Sequence, residues 1–103
     1  MSSSLFDLTG KSALITGSSQ GIGFALAKGL AASGAKIILN GRDRTKLQAA
    51  ADNLSTTGAD VQTLGFDATD HDAVRATVDG FEDTSGTINI LVNNAGMQHR
   101  SEL

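Results

Sequence analysis

Three glycines, at positions 17, 21 and 23, are the residues of this sequence whose spacing most clearly serves a chemical purpose, and they follow a short apolar run at residues 12–15. Glycine permits a turn too tight for a side chain and lets the backbone approach a bound group closely. A helix beginning here would direct its unpaired N–H groups and the positive end of its dipole toward that group. The pattern therefore predicts a strand, a turn and a helix that together bind a pyrophosphate.

Two other interpretations of the glycines compete with this one. A glycine-rich turn can exist without any ligand. A P-loop would need a Lys followed by Ser or Thr after the glycines, and this chain has no such pair there. The spacing is G-x-x-x-G-x-G, which also differs from the common dinucleotide pattern G-x-G-x-x-G. A nucleoside triphosphatase is therefore disfavoured.

Length and composition exclude several classes of protein. A chain of 103 residues is one domain at most, and its net charge of -3 with eight scattered Lys and Arg residues provides no basic stripe for nucleic acid. With no cysteine and only two histidines, neither a thiol nucleophile nor a metal site is expected. The amino terminus lacks the features of a signal peptide, and no apolar run approaches the ~20 residues that span a bilayer. We expect a cytoplasmic protein without a membrane segment.

Apolar periodicity predicts four strands that alternate with three helices. The predicted strands cover residues 11–16, 36–40, 60–65 and 88–92. The first helix covers residues 21–33, the second begins near Asp43 and ends at Gly58, and the third is capped by Asp70 and stopped by Gly86. The apolar positions at helical spacing are 25, 26, 29 and 30 in the first helix, 47, 50, 51 and 54 in the second, and 73, 74, 77, 78 and 81 in the third.

This alternation predicts a doubly wound α/β fold with a parallel sheet in the order 3-2-1-4. Right-handed crossovers would place the first two helices on one face and the third on the other. The strand order reverses between the first and fourth strands, and ligands bind at such a point in open α/β sheets. Four loops should meet there, at residues 17–23, 40–42, 67–68 and 93–96.

The sequence Thr16-Gly-x-x-x-Gly-Ile-Gly23, followed about seventy residues later by Asn93-Asn-Ala-Gly96, resembles the classical short-chain dehydrogenase/reductase family. The resemblance covers the whole chain but only the amino-terminal, cofactor-binding part of such an enzyme. It implies a partial Rossmann-type fold and hydride transfer between a nicotinamide and a carbonyl or alcohol. Within the family, residues 39–42 and 94–100 are most similar to enzymes of the gluconate 5-dehydrogenase type, in which His99 and Arg100 could approach an anionic sugar acid.

The resemblance also implies roles for individual residues. The three glycines would hold the pyrophosphate, Asp67 and Ala68 would border the adenine, and the loop that begins at Asn93 would lie beside the adenosine ribose. An ordinary strand-end turn remains the alternative for Asp67. The complete predicted cofactor site is Gly17, Ser18, Ser19, Gln20, Gly21, Ile22, Gly23, Asn40, Arg42, Asp67, Ala68, Asn93, Ala95 and Gly96.

Residues 41 and 42 indicate which dinucleotide the site prefers, NAD or NADP. An NAD-dependent dehydrogenase would carry an acidic residue after the second strand, where it accepts from the ribose 2′-OH. Here Gly41 takes that place and Arg42 follows, nineteen residues after Gly23. A guanidinium can bind a 2′-phosphate through two hydrogen bonds. We therefore expect NADP rather than NAD, although some NADP-preferring relatives carry a basic residue where this chain has Gln20.

Catalytic residues are not expected in this chain. The family's general acid belongs to a Tyr-x-x-x-Lys pair, and the chain contains no tyrosine. Neither His71 nor His99 is placed by the sequence to activate a serine. We expect an inactive part of an NADP-dependent enzyme that forms a homo-oligomer in its full-length form. A stand-alone nucleotide-binding or interaction module is the alternative, and a methyltransferase is a weaker one.

Overall fold

The computed structural model describes residues 7–94, which form seven elements. The strands are β1 (Ser12–Ile15), β2 (Lys36–Asn40), β3 (Val61–Leu64) and β4 (Ile90–Val92). The helices are α1 (Gly21–Ala32), α2 (Arg44–Ser55) and α3 (His71–Ser85). Within the described part of the chain, no helix is long and apolar enough to cross a membrane.

The strands form one parallel sheet in the order β3-β2-β1-β4, as the sequence predicts. Central β1 pairs with β2 from Ser12 opposite Lys36 onward, and with β4 from Ala13 opposite Ile90 onward. Because all four strands run in one direction, their carboxyl ends lie along a single edge of the sheet. The loops expected to bind the cofactor all leave from this edge.

The core lies between the sheet and the first two helices. Alternate residues of the central strands, such as Ile15 and Leu39, pack there against Ala27 of α1 and against the apolar stripe of α2. That stripe consists of the predicted residues Leu47, Ala50, Ala51 and Leu54, all of them buried.

On the opposite face of the sheet lies α3, whose packing is looser. The predicted stripe of α3 is only half-buried, and no residue of this helix is fully buried. Val74 and Val78 line a cavity of about 290 Å³ together with Leu91 of β4. The side chain of Leu91 is 53% exposed. One face of the sheet is therefore well covered and the other is partly open.

The buried face of α1 differs from the predicted one. Its buried residues are Gly23 and Ala27, whereas Ala25, Leu26 and Gly29 of the predicted stripe are exposed. Small residues occur on every side of this helix, so its hydrophobic periodicity does not identify one face. The face of α1 that packs against the sheet is the one whose side chains, at Gly23 and Ala27, are small enough for the helix backbone to approach the strands.

Several predicted boundaries were too wide. The strand predicted over residues 88–92 begins at Ile90, and before it the N–H of Ile88 donates to the Glu82 carboxylate of α3 at 2.8 Å. Strands β1 and β3 are each one residue shorter at both ends than predicted, and α1 is one residue shorter at its end. The second helix ends at Ser55, and residues 56–58 form a turn that reaches Gly58 at φ +89°.

The predicted helix caps at the starts of α2 and α3 are confirmed. The Asp43 carboxylate accepts from the N–H groups of Thr45 and Lys46, and Asp70 makes the equivalent bonds at the start of α3. Such a cap stabilises a helix by roughly 0.5–2 kcal/mol. At the end of α3, Gly86 adopts φ +108°, a conformation that favours glycine.

Candidate functional site

A cavity of about 320 Å³ lies at the carboxyl edge of the sheet. It opens between the loop after β1, the loop after β2 and the loop after β3. Its volume is at the lower end of the range for small-molecule pockets. Its lining residues are Gly17, Ser19, Gln20, Asn40, Gly41, Arg42, Phe66, Asp67, Ala68 and Thr69.

Asn40 connects the three loops around this cavity. Its buried side chain accepts the N–H of Gly17 at 2.9 Å and donates to the carbonyl oxygens of Leu64 at 3.0 Å and Phe66 at 3.1 Å. Both amide protons and the amide oxygen are therefore used. Asn40 joins the ends of β1 and β3 to the end of β2. Its side chain therefore fixes the positions of the loops that form the walls of the cavity.

Ser18 completes this connection from inside the glycine loop. Its buried hydroxyl donates to the Ile15 carbonyl oxygen at 2.6 Å and accepts the N–H of Asn40 at 2.9 Å. The N–H of Ser18 in turn donates to the Asn40 carbonyl oxygen at 2.8 Å. The side chain of Ser18 faces the interior and does not line the cavity, where Ser19 and Gln20 of the same loop do.

Asn94 closes the loop from the β4 side; the sequence prediction placed it in the loop at residues 93–96 but not among the residues of the cofactor site. Its buried side chain donates to the carbonyl oxygen of Gly17 at 3.1 Å. A Cβ at Gly23 would lie 2.4 Å from that same oxygen and 2.7 Å from Nδ2 of Asn94. Gly23 is therefore required because α1 begins against the Gly17–Asn94 contact. Only the repeated asparagine, Asn93-Asn94, signals this arrangement in the sequence.

The beginning of α1 differs from the beginnings of the other two helices. Its N-cap residue, Gln20, makes no side-chain capping hydrogen bond, whereas Asp43 and Asp70 cap α2 and α3. Gly21 adopts φ +64°, and a Cβ at that position would meet nothing within 4 Å. An uncapped helix start beside open space fits an anionic group, which would supply the missing acceptor.

Arg42 and Asp67 face each other across the cavity. Nη1 of Arg42 lies 3.6 Å from Oδ2 of Asp67, and both side chains are partly exposed. Oδ1 of Asp67 accepts from the hydroxyl of Thr69 at 2.6 Å and from its N–H at 2.9 Å. These two bonds from Thr69, with a smaller contribution from the Arg42 charge, hold the pKa of Asp67 below its ordinary value of 3.8. Asp67 is therefore an anion at neutral pH.

Thr16 and Asn93 join the ends of β1 and β4. The Thr16 hydroxyl donates to Oδ1 of Asn93 at 3.3 Å, and its N–H donates to the carbonyl oxygen of Val92 at 3.0 Å. Both residues line the second cavity, below α3, which adjoins the first through the shared residue Ala68. Asn93 therefore lies next to the first cavity without lining it.

Half of the fourteen residues predicted for the cofactor site line the first cavity. The residues of this set that line the first cavity are Gly17, Ser19, Gln20, Asn40, Arg42, Asp67 and Ala68. Gly21, Gly23 and Ile22 lie at the start of α1, where Ile22 is 68% exposed. Ala95, Gly96, His99 and Arg100 lie outside the described residues.

Phe66 and Thr69 belong to the cavity but were missed by the sequence prediction. The backbone oxygen of Phe66 accepts from the Asn40 side chain, a contact that no residue type reveals in the sequence. The Asp-x-Thr spacing of residues 67–69 could have indicated the turn that fixes Asp67. Among residues 7–94, no cluster of three or more His, Cys, Asp or Glu side chains could hold a metal ion.

The fold defines a Rossmann-type α/β protein, and comparisons with known proteins identify its family. The family model described as short chain dehydrogenase matches residues 11–103. The chain is 48% identical over 99 residues to a gluconate 5-dehydrogenase of Gluconobacter oxydans, covering 96% of this chain and 39% of that enzyme. It is 44% identical over 96 residues to a 5-keto-D-gluconate 5-reductase of Escherichia coli, covering 93% and 38%.

A solved structure also shows the similarity to gluconate 5-dehydrogenases. A gluconate 5-dehydrogenase from Burkholderia cenocepacia, in complex with NADP and tartrate, superposes with a TM-score of 0.79 at 42% identity. The match covers 88% of this chain and 36% of that structure. The chain thus spans less than two fifths of the length of these relatives. It belongs to the short-chain dehydrogenase family, and it resembles the amino-terminal part of gluconate 5-dehydrogenases.

Proposed function

We propose that this chain is the NADP-binding part of an oxidoreductase that transfers hydride between the nicotinamide and a carbonyl or alcohol. The observation that carries the proposal is the cavity at the carboxyl edge of the sheet, where an uncapped helix start and Arg42 provide separate positions for anionic groups. NADP carries such groups at two places, the pyrophosphate and the 2′-phosphate. Residues 1–103 would then form a dinucleotide-binding portion of a longer enzyme.

The residues of this chain have distinct roles in that proposal. The start of α1 would hold the pyrophosphate, with Gly21 leaving the space that a side chain would fill. Arg42 would bind the 2′-phosphate, while Asp67 and Ala68 would border the adenine. When bound, the cofactor would donate the hydride in its reduced form, NADPH, or accept it in its oxidised form, NADP⁺. The residues of this chain would bind and orient it, and the hydrogen bonds of Asn40 and Asn94 would keep the walls of the site in place.

A sugar acid such as gluconate or keto-gluconate is the substrate we propose. The support is the identity to gluconate 5-dehydrogenases and to a keto-gluconate reductase. In addition, His99 and Arg100 provide basic groups that could approach an anionic substrate. A cytoplasmic location and a homo-oligomeric full-length form complete the proposal.

The cofactor preference is tested with Arg42→Ala. Losing one charge-assisted phosphate contact should cost about 1.5–3 kcal/mol of NADP⁺ binding, with little effect on NAD⁺, which lacks the 2′-phosphate. Calorimetric titration of both cofactors into each protein measures the difference. Arg44→Ala is the matched control, because Arg44 is an exposed arginine that lines a different crevice. Equal losses for the two cofactors in Arg42→Ala would refute the assignment.

We also predict that the 103-residue chain has no dehydrogenase activity of its own. It has no tyrosine, so it lacks the residue that the family uses as general acid for the developing alkoxide. The measurement is NADPH oxidation by the homogeneous polypeptide with keto-gluconate, beside NADPH binding under the same conditions. Binding without turnover is expected. Substrate-dependent oxidation that stays with the pure chain would contradict the prediction.

A further inference from the structure

The two oxygens of the Asp67 carboxylate have different partners. Oδ1 is fixed by the hydroxyl and the N–H of Thr69, two residues later in the same turn. Oδ2 lies 3.6 Å from Nη1 of Arg42. The bonds from Thr69 fix the direction of the carboxylate, and the second oxygen is thereby left facing the guanidinium. In the contact between them, Asp67 is held in place by Thr69, whereas Arg42 has a long side chain that can move.

A 2′-phosphate at Arg42 would enter the space beside this carboxylate. A phosphate monoester carries about -1.5 to -2 charges at neutral pH. Because Arg42 and Asp67 line the same cavity, a phosphate held by the guanidinium would share it with Asp67. Two anions that share one cation weaken each other's contact with it. The carboxylate therefore opposes the same group that Arg42 attracts.

We propose that Asp67 determines part of the cofactor specificity, by competing with the 2′-phosphate of the dinucleotide for Arg42. The inference rests on the proposed function, since it requires that Arg42 binds the 2′-phosphate. It gives Asp67 a role separate from any contact with the adenine. NADP must displace or share the carboxylate, whereas NAD leaves the Arg42–Asp67 contact intact. The chain's preference for NADP is accordingly smaller than Arg42 alone would produce.

The substitution Asp67→Asn separates the charge from the hydrogen bonds. An asparagine keeps an oxygen that can accept from Thr69 or from an adenine amino group, and it loses the negative charge. The quantity to measure is the ratio of the dissociation constant of NAD⁺ to that of NADP⁺, obtained by calorimetric titration of the chain. Changes in adenine contacts affect both cofactors and cancel in this ratio. We expect the ratio to rise about twofold to fivefold at low ionic strength, the scale of an exposed ion pair.

Salt provides a second readout. Contacts between exposed charges are screened as the Debye length falls from about 10 Å at 0.1 M to about 3 Å at 1 M salt. The increase in the ratio should therefore shrink in 1 M NaCl. An increase that salt leaves unchanged would contradict a competition between charges.

Asp83→Asn is the matched control for the loss of one negative charge. Asp83 is an exposed residue near the end of α3, about 18 Å along the helix from its start. This variant should leave the ratio unchanged. If Asp83→Asn raises the ratio as much as Asp67→Asn does, the effect reflects net charge and the inference is wrong. An unchanged or lower ratio in Asp67→Asn would overturn it as well.

Combining the substitutions distinguishes this inference from the proposed function. In an Arg42→Ala background the contested cation is gone, so Asp67→Asn should raise the ratio much less. An equal increase in that background would overturn competition for Arg42. If Arg42→Ala alone leaves the ratio unchanged, the proposed cofactor role of Arg42 fails. If only the Asp67→Asn result fails, NADP binding at Arg42 stands and the competition is rejected.

Discussion

Asn40 shows how much of the site depends on a single side chain. One buried amide joins the glycine loop to the ends of two neighbouring strands, through Gly17, Leu64 and Phe66. The residue was predicted to contact the cofactor because it ends β2. The structure shows that its polar atoms bond to the protein. Its contribution to binding would therefore come through the position of the loops.

We predict that Asn40→Ala destabilises the fold. The substitution leaves the N–H of Gly17 and two carbonyl oxygens without their partner, and each unsatisfied buried group costs about 1–3 kcal/mol. We expect a total loss of about 2–4 kcal/mol in the free energy of unfolding, because water can reach some of these groups. Urea denaturation measures it. Asn53→Ala, at an exposed position of α2, is the control and should change stability by less than about 0.5 kcal/mol. Similar small effects for both variants would contradict the bracing role of Asn40.

At the scale of the elements, α1 presents two glycines with opposite surroundings. Gly23 lies against the Gly17 carbonyl oxygen and Asn94, where a Cβ would approach within 2.4 Å and 2.7 Å. Gly29 lies later in the same helix, where a Cβ would meet nothing within 4 Å. The first glycine is required by packing between α1 and the loop. The second has no steric requirement in the described part of the chain.

We predict that alanine substitutions at these two glycines change the stability of the fold in opposite directions. Gly23→Ala should destabilise the fold by about 1–3 kcal/mol, as overpacking does, because backbone atoms must move. Gly29→Ala should stabilise it by about 0.5–1 kcal/mol, because alanine is the better helix former. Thermal unfolding of the two variants beside the wild type measures both effects. A stabilised Gly23→Ala variant would mean that α1 does not begin against the loop.

Sequence patterns predicted these elements unequally well. The stripe of α2 and the caps at Asp43 and Asp70 were correct, because a clear period and a capping residue act locally. The buried face of α1 was wrong, because a helix rich in small residues has no single apolar side. The strand order was correct, because alternating strands and helices allow few topologies. The bond between Ser18 and Asn40 and the bond between Asn94 and Gly17 were not predicted, since the partners lie 22 and 77 residues apart in the chain.

For the whole molecule, the two faces of the sheet differ in how they are covered. The face beneath α1 and α2 contains the buried core, whereas α3 covers the other face with a half-buried stripe. In the described residues β4 pairs only with β1, so its other edge has no strand beside it. Unpaired strand edges and exposed apolar side chains both promote association.

We predict that the 103-residue chain self-associates through the open face and edge of β4. Leu91→Thr should shift it toward the monomer, because threonine keeps the strand propensity and removes much of the exposed apolar surface. Sedimentation velocity over a range of concentrations measures the change. Leu26→Gln, which removes exposed apolar surface from α1, is the control and should leave association unchanged. A wild-type chain that sediments as a monodisperse, cooperatively folding monomer would contradict the prediction.

The bonds that Asn40 makes also affect the thermodynamics of ligand binding. The loop after β1 is tied to the protein at Gly17 and Ser18 before any ligand arrives. Fixing the backbone of one residue costs about 1–2 kcal/mol of conformational entropy. The backbone of these residues loses its conformational entropy when the chain folds, so little of that loss remains to oppose ligand binding. An anion at the start of α1 would therefore meet a loop whose backbone is already held at Gly17 and Ser18, and the entropy change of its association would be correspondingly less unfavourable.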